Sequence, residues 1–211
     1  MSFSLRDGIV VSDDLAAFEW LEHGFGTQSR NLMDTPDAAM LKQIHSSVCT
    51  VADAPGLLGE GDALITDRPG VAVGVKTADC VPILMVDPVR RVVGSAHAGW
   101  RGTVARIGPV TVRRICDEFG STPADLVVAI GPSIGPCCFE VGPEVAVALG
   151  KSAKRTHLDL WAENRQQMAE SGVVKVASSS FCARCGISPT FESFRRDGAG
   201  SGRMLSFIRI R

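Results

Sequence analysis

The sequence predicts an α+β fold: a single domain, residues 1–211, in which mixed β-sheets are flanked by helices. Strand-like and helix-like segments are interleaved irregularly, without the regular alternation that is typical of a doubly wound fold. No repeat and no linker-like stretch divides the chain, and 211 residues is an ordinary length for one domain. Hydrophobic residues make up 45% of the chain and charged residues 21%, which is typical of a globular protein with a full core.

The first half of the chain is predicted to consist mainly of strands. Residues 1–40 mix short apolar pieces with polar turns, and residues 26–39 are typical of a loop. Five apolar or alternating segments then predict strands. Their sequences are MLKQIHSSVCTVAD, GDALITD, VAVGVKT, VPILMVD and RVVGSA. The last two are nearly continuous apolar runs, so we expect them to be buried neighbours.

The second half is predicted to mix helices and strands. Residues 103–119 carry apolar side chains on one helical face, and Gly108-Pro109 either kinks this helix or marks its start at Pro109. The segment ADLVVAIGPSIGPCCFEVGPEVAVAL predicts a strand, a loop rich in Gly and Pro, and a helix. LDLWAENRQQMAESG predicts an amphipathic helix closed by Gly172, and VVKVA predicts a strand. The tail, FESFRRDGAGSGRMLSFIRI, predicts a strand, a basic glycine-rich loop and a final strand.

Charge and composition exclude several classes of partner. Lys and Arg total 22 against 23 Asp and Glu, so no net field attracts nucleic acid or an anionic membrane. The N-terminal segment has no apolar signal core, and no run approaches transmembrane length, which predicts a cytoplasmic protein. Seven cysteines, an odd number outside a short secreted framework, favour thiols or metal ligands over disulfides.

Three residues share one layout, a metal-ligating side chain at or near the end of an apolar strand. They are His45, Cys80 and His97. Two imidazoles and a thiolate suit Zn²⁺ and leave the fourth tetrahedral position open for water or substrate, as in catalytic sites. Copper is the less favoured ion. The alternative interpretation is that all three are packed residues, because dispersed ligands lack a local zinc signature.

Residues next to these ligands are candidates for catalysis and substrate binding. Asp79 is a candidate general base, but it reaches the cavity of Cys80 only if the chain bends there. Otherwise Asp79 is a turn cap or a hydrogen-bond partner of the site. Arg101 lies on a turn flanked by glycines, where its guanidinium either binds phosphate or forms a surface ion pair.

Other polar and sulfur-containing residues have weaker patterns. Arg195, Arg196 and Arg203 form a basic loop that either reaches an anionic substrate or is a solvated edge. The adjacent Cys137 and Cys138 are predicted to be packed thiols. Cys182 and Cys185 form a single C-x-x-C, predicted to be two packed thiols or a weak redox pair.

Several motifs occur in the order of one known family. They are KQIHSSVCTV, GDALIT, KTADCVPIL, GSAHAGWRGTV, AIGPSIGPCCFEVG, NRQQM and SFRRDGAGSGR. From about residue 21 onward the chain resembles the laccase-domain family, once called polyphenol oxidases and now also described as purine nucleoside phosphorylases. The resemblance implies one zinc bound by the three candidate ligands, and a fold related to a toxin-type cysteine hydrolase. The segment after HGFGTQ is shorter than is usual in the family.

The resemblance implies a zinc-dependent enzyme of purine nucleosides. The implied reactions are phosphorolysis of adenosine, inosine or methylthioadenosine, and deamination of adenosine, so phosphate and a nucleoside are the expected small-molecule partners. Cys80, His97 and Asp79 are then the candidate catalytic residues, and Arg101 and Gln43 the candidate substrate contacts.

Three other functions are weighed against this one. A copper polyphenol oxidase is disfavoured, because four histidines cannot build a blue-copper centre and a trinuclear cluster. A hydrolase with Cys80 as nucleophile and His45 or His97 as base would suit the editing of peptidoglycan precursors. The third alternative is a binding protein that zinc stabilises but that catalyses nothing.

Overall fold

The computed structural model describes residues 2–187 and 190–211. Within these residues, the strands β1 to β15 are Phe3–Arg6, Ile9–Ser12, Leu21–Phe25, Ala38–Lys42, Cys49–Val51, Gly56–Glu60, Ala63–Thr66, Ala72–Thr77, Val81–Asp87, Val92–Ala98, Val127–Ile130, Glu140–Val141, Thr156–His157, Lys175–Ser178 and Met204–Ile210. The helices α1 to α6 are Asp13–Ala16, Trp100–Val104, Ile107–Phe119, Pro143–Ala148, Leu160–Glu170 and Phe194–Asp197. In this part of the chain, no helix combines the length and the apolar character needed to cross a bilayer.

Two mixed sheets make up most of the fold. The first has the strand order β1-β2-β3-β15-β8-β4-β6, with β8, β4 and β6 parallel and the remaining pairs antiparallel. The second has the order β14-β11-β9-β10-β7-β5, with parallel pairs at its two ends. The prediction of an α+β fold with mixed sheets flanked by helices is confirmed.

The second sheet lies between the first sheet and the helices, so its central strands are buried on both faces. The strands β9 and β10, of seven residues each, are buried throughout. Along β9, Ile83 and Met85 pack with the α3 residues, whereas Leu84 and Val86 pack with residues of the first sheet. The prediction that VPILMVD and RVVGSA are buried neighbours is therefore confirmed, and they pair antiparallel.

The prediction of one continuous strand in MLKQIHSSVCTVAD is wrong. The segment divides into β4 in the first sheet and β5 in the second. Residues 43–48 connect them outside either sheet, and His45 takes a left-handed backbone conformation with φ of 59°. A period-two pattern cannot show where a strand leaves one sheet for another, because both halves keep the same alternation.

The helix predicted over residues 103–119 is also interrupted, but not where the sequence indicated. The break falls at Arg106, whose φ of 57° separates α2 from α3. Helix α3 then starts at Ile107 and contains Pro109 in its first turn. Proline is tolerated there because the first N–H groups of a helix have no intrahelical partner, so Gly108-Pro109 neither kinks the helix nor starts it.

The strand predicted at the start of the tail is absent, whereas the final strand is present as β15. Residues Phe194–Asp197 instead form the short helix α6. The Ser193 hydroxyl accepts the Arg196 N–H at 3.2 Å, and the Asp79 carboxylate accepts the Arg195 N–H at 2.6 Å. Asp79 is remote in sequence, so its capping bond could not be predicted from the tail alone.

A buried histidine of β3, His23, predicts how the stability of the fold depends on pH. The Nε2 of His23 accepts the Ser12 N–H at 3.0 Å, and burial lowers the pKa of His23 to about 4. An unfolded histidine titrates near pH ~6.5, so between these values the unfolded chain binds a proton that the folded chain excludes. We expect this residue to reduce the free energy of unfolding by about 2–3 kcal/mol between pH ~6.5 and pH ~4.5.

Urea unfolding at the two pH values checks this expectation. The His23→Gln variant retains an acceptor for Ser12 and should lose less stability on acidification than the wild type. The exposed His157 provides the matched control, and His157→Gln should keep the wild-type dependence. Equal acid sensitivity of wild type and His23→Gln would contradict the assignment.

Candidate metal centre

The three predicted metal ligands converge in the structure. The ligand atoms of His45, Cys80 and His97 all lie within 4.8 Å of one another. The two imidazole centroids are 4.9 Å apart with the rings at 72°. His45 lies in the connection between β4 and β5, Cys80 in the turn between β8 and β9, and His97 near the end of β10. Strands from both sheets therefore contribute to one site.

The orientation of His97 follows from the pleat of β10. Alternation along the strand places His97 on the same face as Val93, which packs toward the first sheet. Its Nδ1 lies 2.8 Å from the Asp62 carboxylate, and its backbone N–H donates to the Asp62 carbonyl at 2.7 Å. When the Nδ1–H group donates to this carboxylate, the Nε2 lone pair is free to bind a metal.

Asp62 also holds the loop that carries His45. Its side chain is fully buried, and its carboxylate accepts the N–H groups of His45 at 3.0 Å and Ser46 at 2.6 Å, and the Ser46 hydroxyl at 2.7 Å. One carboxylate thus positions two of the three ligands. Asp62 was not among the candidate residues predicted from the sequence; its one signal there is an acidic residue directly before the buried strand of the GDALIT motif.

Cys80 reaches the site because the chain reverses just before it. Asp79 has a φ of 85°, and both Asp79 and Cys80 line the same cavity, so the bend that this arrangement requires is present. The Asp79 carboxylate, however, accepts the Ser193 hydroxyl at 2.7 Å and the Arg195 N–H at 2.6 Å. These bonds make Asp79 the cap of α6, one of the roles expected from its position.

Gly99 leaves the space that the ligand atoms occupy. A Cβ at this position would lie 2.9 Å from Cys80 Sγ and 3.1 Å from His45 Cδ2. Its φ of −65° is open to any residue, so packing rather than backbone conformation requires glycine here. The close donor set and this cradle fit a small cation held by two imidazoles and one thiolate.

The protonation equilibria favour the ligand form of the cysteine. Burial opposes ionisation of Cys80, but hydrogen bonds from His45 and His97 outweigh it and lower the pKa of the thiol to about 7. Burial likewise opposes the charge on His97, yet Asp62 and the Cys80 sulfur raise its pKa to about 9. The Asp62 carboxyl is buried, but its hydrogen bonds from His97 and Ser46 hold its pKa below the usual range.

A cavity of about 570 Å³ includes the three ligands in its wall. The remaining lining residues are the cations Lys42, Lys76, Arg195 and Arg203, the polar Gln43 and Asp79, and the apolar Ala78, Ile134, Phe139 and Phe194. The wall thus combines positive charge with aromatic surface beside the ligand cluster. Such an arrangement suits an anionic group and a planar apolar group bound side by side.

Two arginines of the predicted basic loop belong to this cavity, whereas the third does not. Arg195 donates through Nη1 to the carbonyls of Glu140 at 2.9 Å and Cys138 at 3.4 Å, and its guanidinium lies over the Phe139 ring at 5.6 Å. Arg203 also lines the wall. Arg196 instead pairs with Asp197 at 2.7 Å. The tail therefore contributes a positive wall as well as a solvated edge.

The two predicted substrate contacts lie in different places. Gln43 lines the cavity, and its amide pairs with the Lys76 backbone through two hydrogen bonds of 2.8 Å, which ties β8 to the His45 loop. Arg101 is exposed, stacks on Trp100 at 4.2 Å and does not line this cavity. Lys42 and Lys76 also line the cavity but were not predicted; their one signal in the sequence is a lysine in each of the two motifs that carry His45 and Cys80.

The other two histidines do not approach this site. His23 is buried in β3, where it accepts the Ser12 N–H, and His157 is exposed in β13. Only two imidazoles are therefore available to a metal here. This donor set does not fit the imidazole-rich sites of multicopper oxidases.

Comparison with known proteins gives matches over nearly the whole chain. A family model described as multi-copper polyphenol oxidoreductase laccase matches residues 22–211. A purine nucleoside phosphorylase of Deinococcus radiodurans is 42% identical over 183 residues, which are 82% of this chain and 70% of that protein. Adenosine deaminase RL5, from an unknown prokaryotic organism, is 37% identical over 201 residues, which are 83% of this chain and 76% of that protein.

A solved structure shows the same fold. The crystal structure of the hypothetical protein YfiH of Bacillus licheniformis matches with a TM-score of 0.89 and 27% identity, covering 99% of each chain. The family match begins at residue 22, close to the start expected from the motifs, and includes all three candidate ligands. The chain belongs to the multi-copper polyphenol oxidoreductase laccase family.

Proposed function

We propose that this protein is a zinc-dependent enzyme that cleaves purine nucleosides with phosphate and also deaminates adenosine. One observation carries the proposal: His45, Cys80 and His97 form part of a cavity whose wall also presents four cationic side chains and two aromatic rings. The names of relatives, purine nucleoside phosphorylase and adenosine deaminase, support the substrate class.

Zinc is the ion that these donors favour. Two imidazoles and one thiolate are borderline-soft ligands, and three protein ligands leave one tetrahedral position for water or substrate. When bound, zinc supplies a Lewis acid, which can lower the pKa of a bound water toward about 7. Asp62 contributes by keeping His97 in the tautomer and orientation that a ligand needs.

The cationic wall is assigned to phosphate. Nη1 of Arg195 is held by carbonyl oxygens of residues 138 and 140, which fixes the position of the guanidinium. Arg203 and Lys76 line the same wall, so three positive groups can share the charge of one phosphate. Asp79 acts here as a positioning residue, since it caps the helix that carries Arg195.

The aromatic wall is assigned to the purine. Phe139 and Phe194 present ring surface, and Gln43 has a second amide hydrogen that can be donated to the nucleoside. In phosphorolysis, a phosphate oxygen forms the bond to the anomeric carbon while the glycosidic C–N bond breaks. The bonding electrons leave with the purine, which then takes up a proton, and the sugar leaves as its 1-phosphate.

Product analysis tests the proposal directly. The zinc-loaded protein is incubated with adenosine, inosine or methylthioadenosine, with and without phosphate, and the products are separated by chromatography. We expect free base to form only with phosphate, and inosine to form from adenosine without it. His97→Ala should reduce both products to the buffer background. Absence of products from the wild type, or equal amounts from His97→Ala, would refute the proposal.

The phosphate assignment predicts which arginine sets the KM for phosphate. Arg203→Gln removes a charged donor from the cavity wall, and we expect the KM for phosphate to rise about tenfold with a smaller change in kcat. Arg101→Gln is the matched control and should leave this KM unchanged. Steady-state kinetics with varied phosphate checks both variants. The opposite result would place Arg101 at the substrate and remove Arg203 from it.

The geometry of the cluster favours one second candidate, a cysteine hydrolase of the kind that could edit peptidoglycan precursors. Cys80, His97 and Asp62 stand in the order of a nucleophile, a base and a residue that orients the base. The two functions require opposite states of Cys80. A nucleophilic thiolate reacts rapidly with iodoacetamide in the protein as purified, whereas a zinc ligand reacts only after a chelator removes the metal.

A further inference from the structure

Four cysteines from two distant segments meet in a second cluster, outside the cavity. The Sγ atoms of Cys137, Cys138, Cys182 and Cys185 all lie within 4.8 Å of one another. The first pair follows the loop after β11, and the second pair is the C-x-x-C segment. The sequence predicted two separate pairs of thiols, because 48 residues separate Cys137 from Cys185.

The backbone brings the two segments together independently of the sulfur atoms. Ser133 and Cys182 form a parallel bridge, in which the Ser133 N–H donates to Phe181 and the Ala183 N–H donates to Ser133 at 2.8 Å. The N–H groups of Cys138 and Phe139 both donate to Gly135 at 2.9 Å, which closes a tight turn. The Gly186 N–H also donates to the Cys182 carbonyl at 2.9 Å, so both segments are held by backbone hydrogen bonds. Cys182 and Cys185 have the C-x-x-C spacing of zinc-binding pairs, whereas Cys137 and Cys138 are adjacent.

The sulfur spacing fits a tetrahedral metal better than it fits disulfides. Four sulfurs at about 2.3 Å from a zinc ion are about 3.8 Å apart, and the four sulfurs here all lie within 4.8 Å of one another. Cys137 and Cys185 are 3.5 Å apart, whereas a disulfide requires about 2.05 Å. All four cysteines are free thiols gathered in one cluster, and they do not form two bonded pairs.

The surroundings supply the donors that a tetrathiolate site needs. The Gly135 N–H donates to Cys182 Sγ at 3.3 Å, and Arg184 Nη1 lies 3.5 Å from Cys138 Sγ. A Zn²⁺ ion with four thiolates carries a net charge of about −2, which such donors and a guanidinium stabilise. Cys137 and Cys185 are exposed, so an ion has a path into the cluster.

We propose that Cys137, Cys138, Cys182 and Cys185 bind one structural zinc ion through four thiolates. Four protein ligands close the coordination sphere, so this site holds structure and activates no water. The ion would tie the loop after β11 to the C-terminal segment. The same loop supplies Ile134 and Phe139 to the cavity wall, so the site fixes one wall of the cavity from outside.

Metal content of variants tests the second site separately from the first. Cys80→Ser removes a ligand of the cavity cluster, and we expect this variant to retain one zinc per chain after dialysis, measured by mass spectrometry of the metal. Adding Cys185→Ser, at an exposed position, should remove that ion. Cys116→Ser, a half-exposed cysteine of α3, is the matched control and should retain it. Failure of the proposed function would not change these expectations.

Cobalt substitution gives a second readout that does not depend on whether the doubly substituted protein folds. In the Cys80→Ser protein, Co²⁺ bound by four thiolates should give intense sulfur-to-metal absorption and tetrahedral visible bands, which zinc then displaces. The proposal is overturned if the Cys80→Ser protein binds neither ion under reducing conditions. It is also overturned if the intact mass is lower by two hydrogens per cysteine pair, since that shows disulfides.

Discussion

Replacing Asp62 with asparagine is expected to weaken metal binding about 10- to 100-fold and to destabilise the folded chain by about 3–5 kcal/mol. The buried carboxylate accepts from the His97 imidazole, from the His45 and Ser46 N–H groups and from the Ser46 hydroxyl. Asparagine offers one oxygen and adds two donors, so several buried donors lose their acceptor. His97 loses its orientation and the His45 loop loses its anchor.

Two measurements check this expectation. Zinc affinity is determined by competition with a chelating dye, and the free energy of unfolding is determined in urea with excess chelator, so that bound metal does not contribute. Asp53→Asn is the matched control, because the Asp53 side chain is 72% exposed and pairs with Arg68 only at the surface. We expect that variant to change stability by less than about 0.5 kcal/mol. Unchanged zinc affinity in Asp62→Asn would contradict the role given to Asp62.

Asp62 also predicts how the free energy of unfolding changes at low pH. The folded-state pKa of Asp62 lies below the usual range, so its stabilising contribution is complete above the ordinary aspartate pKa of about 3.9 and is lost as pH falls below it. Metal-free wild type should therefore lose stability below pH ~4 more steeply than Asp62→Asn does. Parallel acid-unfolding curves for the two proteins would mean that Asp62 is not the carboxylate responsible.

Replacing Gly99 with alanine is expected to weaken zinc binding by about 10- to 100-fold while the fold is retained. The added Cβ would lie 2.9 Å from Cys80 Sγ and 3.1 Å from His45 Cδ2, so both ligands must move. Alanine is compatible with the backbone angles at this position, so the effect is one of packing alone. Turnover should fall along with the fraction of chains that bind zinc.

Gly200→Ala is the matched control for this substitution. No atom lies within 4 Å of a Cβ at Gly200 among the described residues, and its φ is not in the left-handed region. We expect this variant to bind zinc and to turn over substrate as the wild type does. Wild-type zinc affinity in Gly99→Ala, measured by the same competition, would mean that the ligands do not converge as described.

The candidate metal ligands could be recognised from the sequence, but the residues that position them could not. His45, Cys80 and His97 each stand in a distinctive motif. Asp62 lies 35 residues from His97 and is one of 23 acidic residues in the chain. Its importance depends on several donors that only the folded chain brings to it. Arg101 shows the converse, since its place in a motif next to His97 does not bring it into the cavity wall.

By itself, the sequence determined the α+β class, the buried strand pair β9–β10 and the choice of His45, Cys80 and His97 as candidate ligands, because apolar periodicity and residue type are local properties. Only the tertiary structure decided where the strand pattern crosses between sheets, which cations face the cavity, and that Cys137, Cys138, Cys182 and Cys185 meet. Those outcomes depend on hydrogen bonds and packing between segments far apart in the chain. A local sequence pattern does not show which distant residues will pack against it. The cluster of four cysteines could therefore be recognised only in the folded chain.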